Sequence, residues 1–402
     1  MHLIIIGGGA AGLCAAITAK RQNPKLNLTV LESNDRVCKK LITTGNGRCN
    51  ITNKDLHILH YHGGTELCSV LDNDFIIQFF DSIGTEIVFE ESGRGYPASY
   101  QALSVVDNLR FACEKLGIEI CTGQRVTDIS ANKGCFTVTA AQTFSADAVL
   151  LACGSPAGGK IASDSGYALL KRFGHKVLPV TPAIVPIQTE VSVPRQLKGI
   201  KVNASATLYI GGKAVCKEYG EVLFCDYGLS GPPILQLARA AAFGKPNTYI
   251  ELDLMPALSA EAVLQKLTRR AAVLHDRVAG EFFTGLLNKR LGQVICKVCN
   301  CNLQMPARQL PLEQLTSVIK ALHLPVTGVL PLSQAQVAAG GADTAEFGSD
   351  FMSKKQAGLF CAGEVLNVDG DCGGFNLAFA WCSGAAAATA AVQWLEENRN
   401  FA

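Results

Sequence analysis

HLIIIGGGAAGLCAAITAKRQNPKLNLTVLES, residues 2–33, reads as a strand, a glycine turn, a helix and a second strand. Leu3 to Ile6 are apolar without interruption, as in a parallel strand covered on both faces. Gly7, Gly9 and Gly12 form G-x-G-x-x-G. In that pattern Gly7 permits a tight turn, Gly9 lets backbone approach a pyrophosphate, and Gly12 lets helix and strand pack closely. The expected helix, residues 10–22, aims its N-terminal amides at the same place, Ala10 and Ala11 first. Strand two ends at Glu32, 20 residues beyond Gly12, where a carboxylate can accept hydrogen bonds from an adenosine ribose. Strand, turn, helix and acid together predict an α/β fold with a Rossmann-type dinucleotide site. An ordinary α/β turn accounts for the glycines but not for Glu32. The motif alone does not separate NAD from FAD.

Two later stretches favour FAD. ADAVLLACGS, residues 146–155, is a strand running into a small-residue turn at Ala152-Cys153-Gly154. It resembles the Ala-Thr-Gly segment of two-dinucleotide-fold flavoproteins. GLFCAGEVLNVDGDCGGFNLAFAW, residues 358–381, has a strand ending at Gly363-Glu364, and Gly373-Gly374 then open a helix. The first resembles the Gly-Asp motif whose acid binds the ribityl chain. The second would set a helix N-terminus against the flavin pyrimidine edge, where negative charge gathers on reduction.

LITTGNGRCNITN, residues 41–53, has too little periodicity for a helix or a strand. Its backbone is too polar for a core. With Lys39, Lys40 and Arg48 beside Gly45 and Gly47, it is expected to run along the pyrophosphate and the flavin.

Together GGGAAG, KKLITTGNGRCNITN, FCDYGLSGPPIL and AGLFCAGEVLNVDGDCGGFNLAFAWCSG resemble the BaiN/YhiN-type flavoprotein family of NAD(P)/FAD-dependent oxidoreductases, which includes aminoacetone-oxidase-like enzymes. The resemblance covers nearly the whole chain. It implies an FAD domain built from both ends of the chain around an inserted domain. It places FAD on Gly9, Ala10, Ala11, Glu32, Lys40, Gly47, Arg48, Cys49, Asn50, Gly363, Glu364, Asp369, Gly370, Gly374, Phe375, Asn376 and Leu377. Gly7, Gly12 and Gly154 join them from their turns. Val126 is added because QRVTDI resembles the strand whose backbone reads the adenine. The chain departs from the family at SPAGGKIASDSGYALL, residues 155–170, and at Cys225-Asp226, where members carry Thr-His. Any substrate chemistry owed to that histidine would be altered here.

The expected organisation is an FAD domain from residues 1–185 and 328–402 with an insert at 186–327. Within the insert, 186–255 reads as β-rich and 256–327 as helical. ASATLYI and KAVC flank Gly211-Gly212 as a hairpin, EVLFC is a further strand, Ser230 precedes Pro232 as an N-cap, and Ser259 caps another helix.

The chain has 402 residues and 16 cysteines without a framework, and reads as a cytoplasmic protein with reduced thiols. The uncharged run 372–395 reads as a buried helix rather than a membrane span. Cys296, Cys299 and Cys301 lack a fourth ligand and make a poor zinc site. His57, His60 and His62 read as a polar surface loop. With 36 basic and 34 acidic residues, the whole chain shows no electrostatic footprint for nucleic acid or an anionic membrane.

The expected activity is hydride transfer between a small organic substrate, or NAD(P)H, and the flavin N5. A single G-x-G-x-x-G argues against a dedicated NAD(P)H domain, so a nicotinamide donor would bind transiently. The composition names no catalytic acid or base. The alternatives are a non-catalytic flavin-binding sensor or scaffold and, against the near-neutral charge and the lack of a basic, aromatic-interleaved patch, an RNA-modifying flavoenzyme.

Overall fold

A computed structural model describes residues 1–132, 134–162, 165–243 and 246–398. Residues 163 and 164 of the SPAGGKIASDSGYALL stretch, and the last four residues of the C-terminal FAD segment, lie outside the described residues. The chain divides into two units, Met1–Thr181 with Leu332–Ala402, and Pro182–Pro331.

The first unit is organised around a five-stranded parallel sheet. Its strands lie in the order Leu359–Cys361, Ala148–Leu151, His2–Ile6, Asn27–Leu31 and Glu119–Cys121. Leu3, Ile4, Ile5, Val149 and Leu150 are fully buried, as their unbroken apolar runs require of strands covered on both faces. The helix Ala10–Gln22 follows the glycine turn, and the C-terminal helix Phe375–Asn398 packs along it. At their crossing a side chain on Gly384 would overlap the Ala11 carbonyl, so only glycine permits the approach. The C-terminal helix is long and apolar enough to cross a membrane, yet 72% of its most apolar window is buried inside the protein. It is a core helix, as its Ala-rich composition suggested.

Residues 41–53 depart from the sequence reading. Lys39–Thr43 is a short helix, Thr44–Gly47 a 3-10 turn, and Thr52–Asn53 a strand. Cys49, Ile51 and Thr52 are fully buried. A core does hold this polar backbone, because the core supplies partners for it. Trp381, also fully buried, donates its indole N–H to the Ile51 carbonyl (3.2 Å), and Ile51 N–H donates to the Gly95 carbonyl (2.8 Å). Trp381 in turn meets Phe80 edge-to-face, with centroids 5.0 Å apart. The loop is therefore anchored from behind, which leaves Gly45–Gly47 as its outer edge.

The second unit is a closed six-stranded barrel. Its strands run in the order Ile187–Thr189, Gly228–Ser230, Lys213–Cys225, Lys201–Ile210, Thr248–Asp253 and Leu322–Val329. Gly211 and Gly212, at φ 58° and 79°, make the two-residue hairpin turn. KAVC and EVLFC turn out to be one 13-residue strand. Three details of the sequence reading are corrected here. Gly231 rather than Ser230 caps the helix Pro232–Ala242, because Ser230 is still paired in a strand. Leu322–Val329, which begins in the segment read as helical and runs two residues past its end, is a strand that closes the barrel on both sides. The contact boundaries also fall at 181/182 and 331/332 rather than 185/186 and 327/328. The Ser259 hydroxyl does cap its helix, accepting from Ala262 N–H (3.2 Å).

Candidate functional site

The glycine turn has two kinds of glycine. A methyl on Gly12 would overlap the Gly7 carbonyl oxygen, and one on Gly7 would overlap the Ala152 carbonyl. These two let strand and helix close on each other. A Gly9 Cβ would meet nothing within 4 Å, and no side chain caps the helix there. The helix N-terminus that begins at Ala10 therefore has room beside Gly9 and carries the positive end of the helix dipole.

Glu32 is 7% exposed and closes this turn from strand two. Its Oε2 accepts from Gly8 N–H (2.9 Å), and its Oε1 accepts from Asn34 N–H (2.8 Å) and Asn34 Nδ2 (2.7 Å). A carboxylate offers about four acceptor positions, so Oε2 retains room for a hydroxyl. Gln124 N–H donates to the Glu32 carbonyl (2.8 Å), which lays residues 124–126 beside the acid. Val126 is buried there. The Gln124 side-chain oxygen is buried without a partner. Sequence reasoning passed over Gln124, although it begins the same QRVTDI segment.

The remaining positions come together from opposite ends of the chain. Lys40 Nζ lies 2.5 Å from Glu364 Oε2, and Ala338 N–H donates to Glu364 Oε1 (3.1 Å). Gly363 (φ 72°) sits where a Cβ would lie 2.9 Å from the Ala11 side chain, and its N–H donates to Ser383 Oγ (3.0 Å). Gly374 sits where a Cβ would lie 2.9 Å from Asn50 Oδ1, which is itself buried without a partner. Gly154 and Gly47, at φ 72° and 83°, would each place a Cβ in open space.

Other expected positions are engaged within the protein. Arg48 stacks over Tyr96 (4.4 Å) and reaches Glu90 and the Tyr96 hydroxyl (both 3.2 Å). Cys49 is fully buried, and burial pushes its thiol up to about 12, so it is no thiolate. Asn376 clasps Gly370, with Oδ1 accepting from its N–H (2.8 Å) and Nδ2 donating to its carbonyl (2.7 Å). Asp369 is buried on the strand Val368–Gly370, and Leu377 is half-buried in the first turn of the C-terminal helix. Phe375, the first residue of that helix, stacks on His60 at 4.3 Å, and its carbonyl accepts from the Tyr61 hydroxyl (2.7 Å). His60 and Tyr61 thus support the site, and no local signal in the sequence marked them.

An elongated dinucleotide fits this donor set. Uncapped amides and a dipole suit a diphosphate, Glu32 suits a ribose, and the two unpartnered amide oxygens call for N–H or O–H donors such as bases carry. Among the described residues no group of three His, Cys, Asp or Glu side chains could hold a metal ion.

The profile of the family described as HI0933-like protein Rossmann domain matches residues 1–390. The chain is 33% identical to the 3-dehydro-bile acid delta(4,6)-reductase of Clostridium scindens, over 97% of this chain and 98% of that protein. It is 26% identical to the ribosomal RNA dihydrouridine synthase of Haemophilus influenzae, over 96% and 97%. Among solved structures, a flavocytochrome c3 fumarate reductase superposes with a TM-score of 0.51 at 15% identity, covering 98% of this chain and 78% of that one.

Proposed function

This chain belongs to the HI0933-like Rossmann-domain family and is an FAD-dependent oxidoreductase; on that premise we propose that it reduces a carbon–carbon double bond conjugated to a carbonyl. The observation that carries the substrate class is what the names of the two curated relatives have in common. A 3-oxo steroid with Δ4 and Δ6 unsaturation and a uracil reduced to dihydrouracil are both alkenes in conjugation with a carbonyl. Such a bond takes up a hydride at the β-carbon and a proton at the α-carbon. The electron pair comes from a reduced nicotinamide or another two-electron donor of that class.

FAD, when bound, supplies the hydride. The chain's own residues hold and orient it. Gly9, Ala10 and Ala11 would present amides to the diphosphate, and Glu32 would take the ribose, with Gln124 and Val126 on the adenine side. Lys40 and Glu364 would hold the ribityl region. Asn50, Gly374 and the first turn of the C-terminal helix would hold the flavin ring. Cys49, sealed and protonated, takes no part as a nucleophile. The non-catalytic alternative is not retained, since the chain aligns end to end with a reductase.

A small enone is the first reading of the substrate. A second reading, uracil within RNA, has one observation in its favour. Residues 182–331 carry sixteen Lys and Arg against ten Asp and Glu, while the remainder carries twenty against twenty-four. The near-zero whole-chain charge conceals a basic unit. Lys266, Arg269, Arg277, Lys289, Arg290 and Arg308 are exposed on its helical part. A one-sided basic composition of this kind suits a polyanion.

The deciding experiment is anaerobic. The purified holoprotein is bleached with NADPH, NADH or dithionite, then offered a 3-oxo-Δ4,6 steroid, a simple cyclic enone or an unmodified RNA transcript. Return of the oxidised flavin spectrum, with a product two hydrogens heavier, identifies the acceptor. Protein without flavin bands, or reduced flavin that no conjugated acceptor reoxidises, overturns the proposal.

A further inference from the structure

The His60 ring lies between two carboxylates. Its Nδ1 is 3.0 Å from Asp371 Oδ2 and its Nε2 is 3.0 Å from Asp55 Oδ2. Carboxylates only accept, and a neutral imidazole carries a single N–H. Both contacts are hydrogen bonds only when both ring nitrogens are protonated, so the geometry is that of an imidazolium. His62 Nε2 takes the other oxygen of Asp371 at 3.1 Å.

This cluster is fastened to the stretch that ends at the C-terminal helix. Asp371 N–H donates to the His60 carbonyl (2.9 Å), and Tyr61–Gly63 pairs antiparallel with Val368–Gly370. The ring itself covers Phe375. Between them lie Gly373 and Gly374, at φ 153° and 102°. Two glycines in that region leave the turn free to adopt many shapes, so its shape has to be imposed from outside. The strand pairing and the Tyr61 hydroxyl do not titrate near neutrality. The His60 pair does.

Resting on the reading of Gly363–Leu377 as an FAD-binding segment, we propose that protonated His60 is a positioning residue that sets the Gly370–Phe375 turn, so that FAD retention is coupled to one proton. Asp55 faces the ring from the loop before it, and Asp371 from the turn after the paired strand. His62 shares Asp371, and Tyr61 and buried Asp369 lie on the paired strands. Burial opposes the charge on His60, but the hydrogen bonds to Asp371 and Asp55 outweigh it and hold the ring above its ordinary 6.5. A group raised in this way contributes fully below its unfolded value, and its contribution is lost as pH rises through the raised one. Because FAD binds the turn in the shape that protonated His60 sets, binding favours the protonated ring, and FAD is held more tightly on the acid side of that transition.

The test is FAD affinity of the full chain, read by flavin fluorescence quenching from about pH 6 to about pH 9 in wild type, His60→Gln and His62→Gln. If FAD moves the His60 pKa by one unit, wild-type Kd rises about tenfold across the range. His60→Gln is expected to bind at the weak alkaline level at every pH, and His62→Gln to keep the slope. A His60→Gln protein that follows the wild-type profile overturns the proposal. Should that variant not fold, imidazole NMR of wild type decides. Reciprocity requires a higher His60 pKa with FAD than without it, and equal values overturn the proposal. Wild-type protein that takes up no FAD at any pH instead sinks the reading of the segment itself.

Discussion

Lys40 and Glu364, 324 positions apart in the chain, meet at 2.5 Å within the unit that both ends of the chain build. Both side chains are less than one-third exposed. The pair ties the short helix Lys39–Thr43 to the end of the strand Leu359–Cys361, two segments that no local pattern connects.

Removing one partner leaves the other partly buried and uncompensated. Glu364→Gln is expected to cost about 1–3 kcal/mol in urea unfolding. A cycle with Lys40→Met should return a coupling energy of about 0.5–3 kcal/mol. Additive single and double variants would mean that the contact contributes no stability.

The two kinds of glycine in the turn predict opposite phenotypes. Gly12→Ala forces a methyl into the Gly7 carbonyl and should yield little folded protein. Gly9→Ala meets nothing in the protein, so apoprotein stability should stay within about 0.5 kcal/mol of wild type. Its methyl occupies the space assigned to the diphosphate, and FAD affinity should fall at least about tenfold, or about 1.4 kcal/mol. Thermal melts of apoprotein beside FAD titrations check both arms. Unchanged FAD affinity in Gly9→Ala would remove the diphosphate from that turn.

Thiol labelling should separate Cys49 from Cys135. Cys49 is fully buried with its thiol raised to about 12, whereas Cys135 is exposed. Brief alkylation of native protein at mildly alkaline pH, followed by peptide mass spectrometry, should mark Cys135 and leave Cys49 free until denaturant is added. Rapid labelling of Cys49 would contradict its burial.

His175 should make stability depend on pH in the opposite sense to His60. Its side chain is fully buried, with Nδ1 3.0 Å from Glu346 and Nε2 2.7 Å from Ser353, and it stacks on Phe347 at 4.7 Å. Burial pulls its pKa below the ordinary 6.5, against the hydrogen bond to Glu346. Its contribution is therefore present above that value and lost as pH falls through the depressed one. His175→Gln should lose about 1–3 kcal/mol near neutrality and show a shallower decline on acidification, measured by urea unfolding at stepped pH. A parallel decline in both proteins would place the acid sensitivity elsewhere.

The amino-acid sequence by itself determined what depends on neighbours a few residues apart. The continuous apolar run Leu3–Ile6, the glycine spacing, Glu32 at the end of strand two, the Gly211-Gly212 hairpin and the Ser259 cap were legible because turn, cap and strand chemistry are local. The tertiary structure decided what depends on partners brought from afar. It paired Lys40 with Glu364, Ala11 with Gly363 and Asn50 with Gly374, and set His60 between Asp55 and Asp371. It turned residues 49–53 inward, because Trp381 and Gly95 satisfy a backbone that looked too polar to bury. It made a barrel strand of Leu322–Val329, whose two partner strands lie more than 65 residues earlier. Whole-chain charge carries no record of where charges lie: residues 182–331, contiguous in the sequence, hold sixteen basic against ten acidic residues and form one unit. Periodicity records which face of an element is buried, but not which distant element buries it.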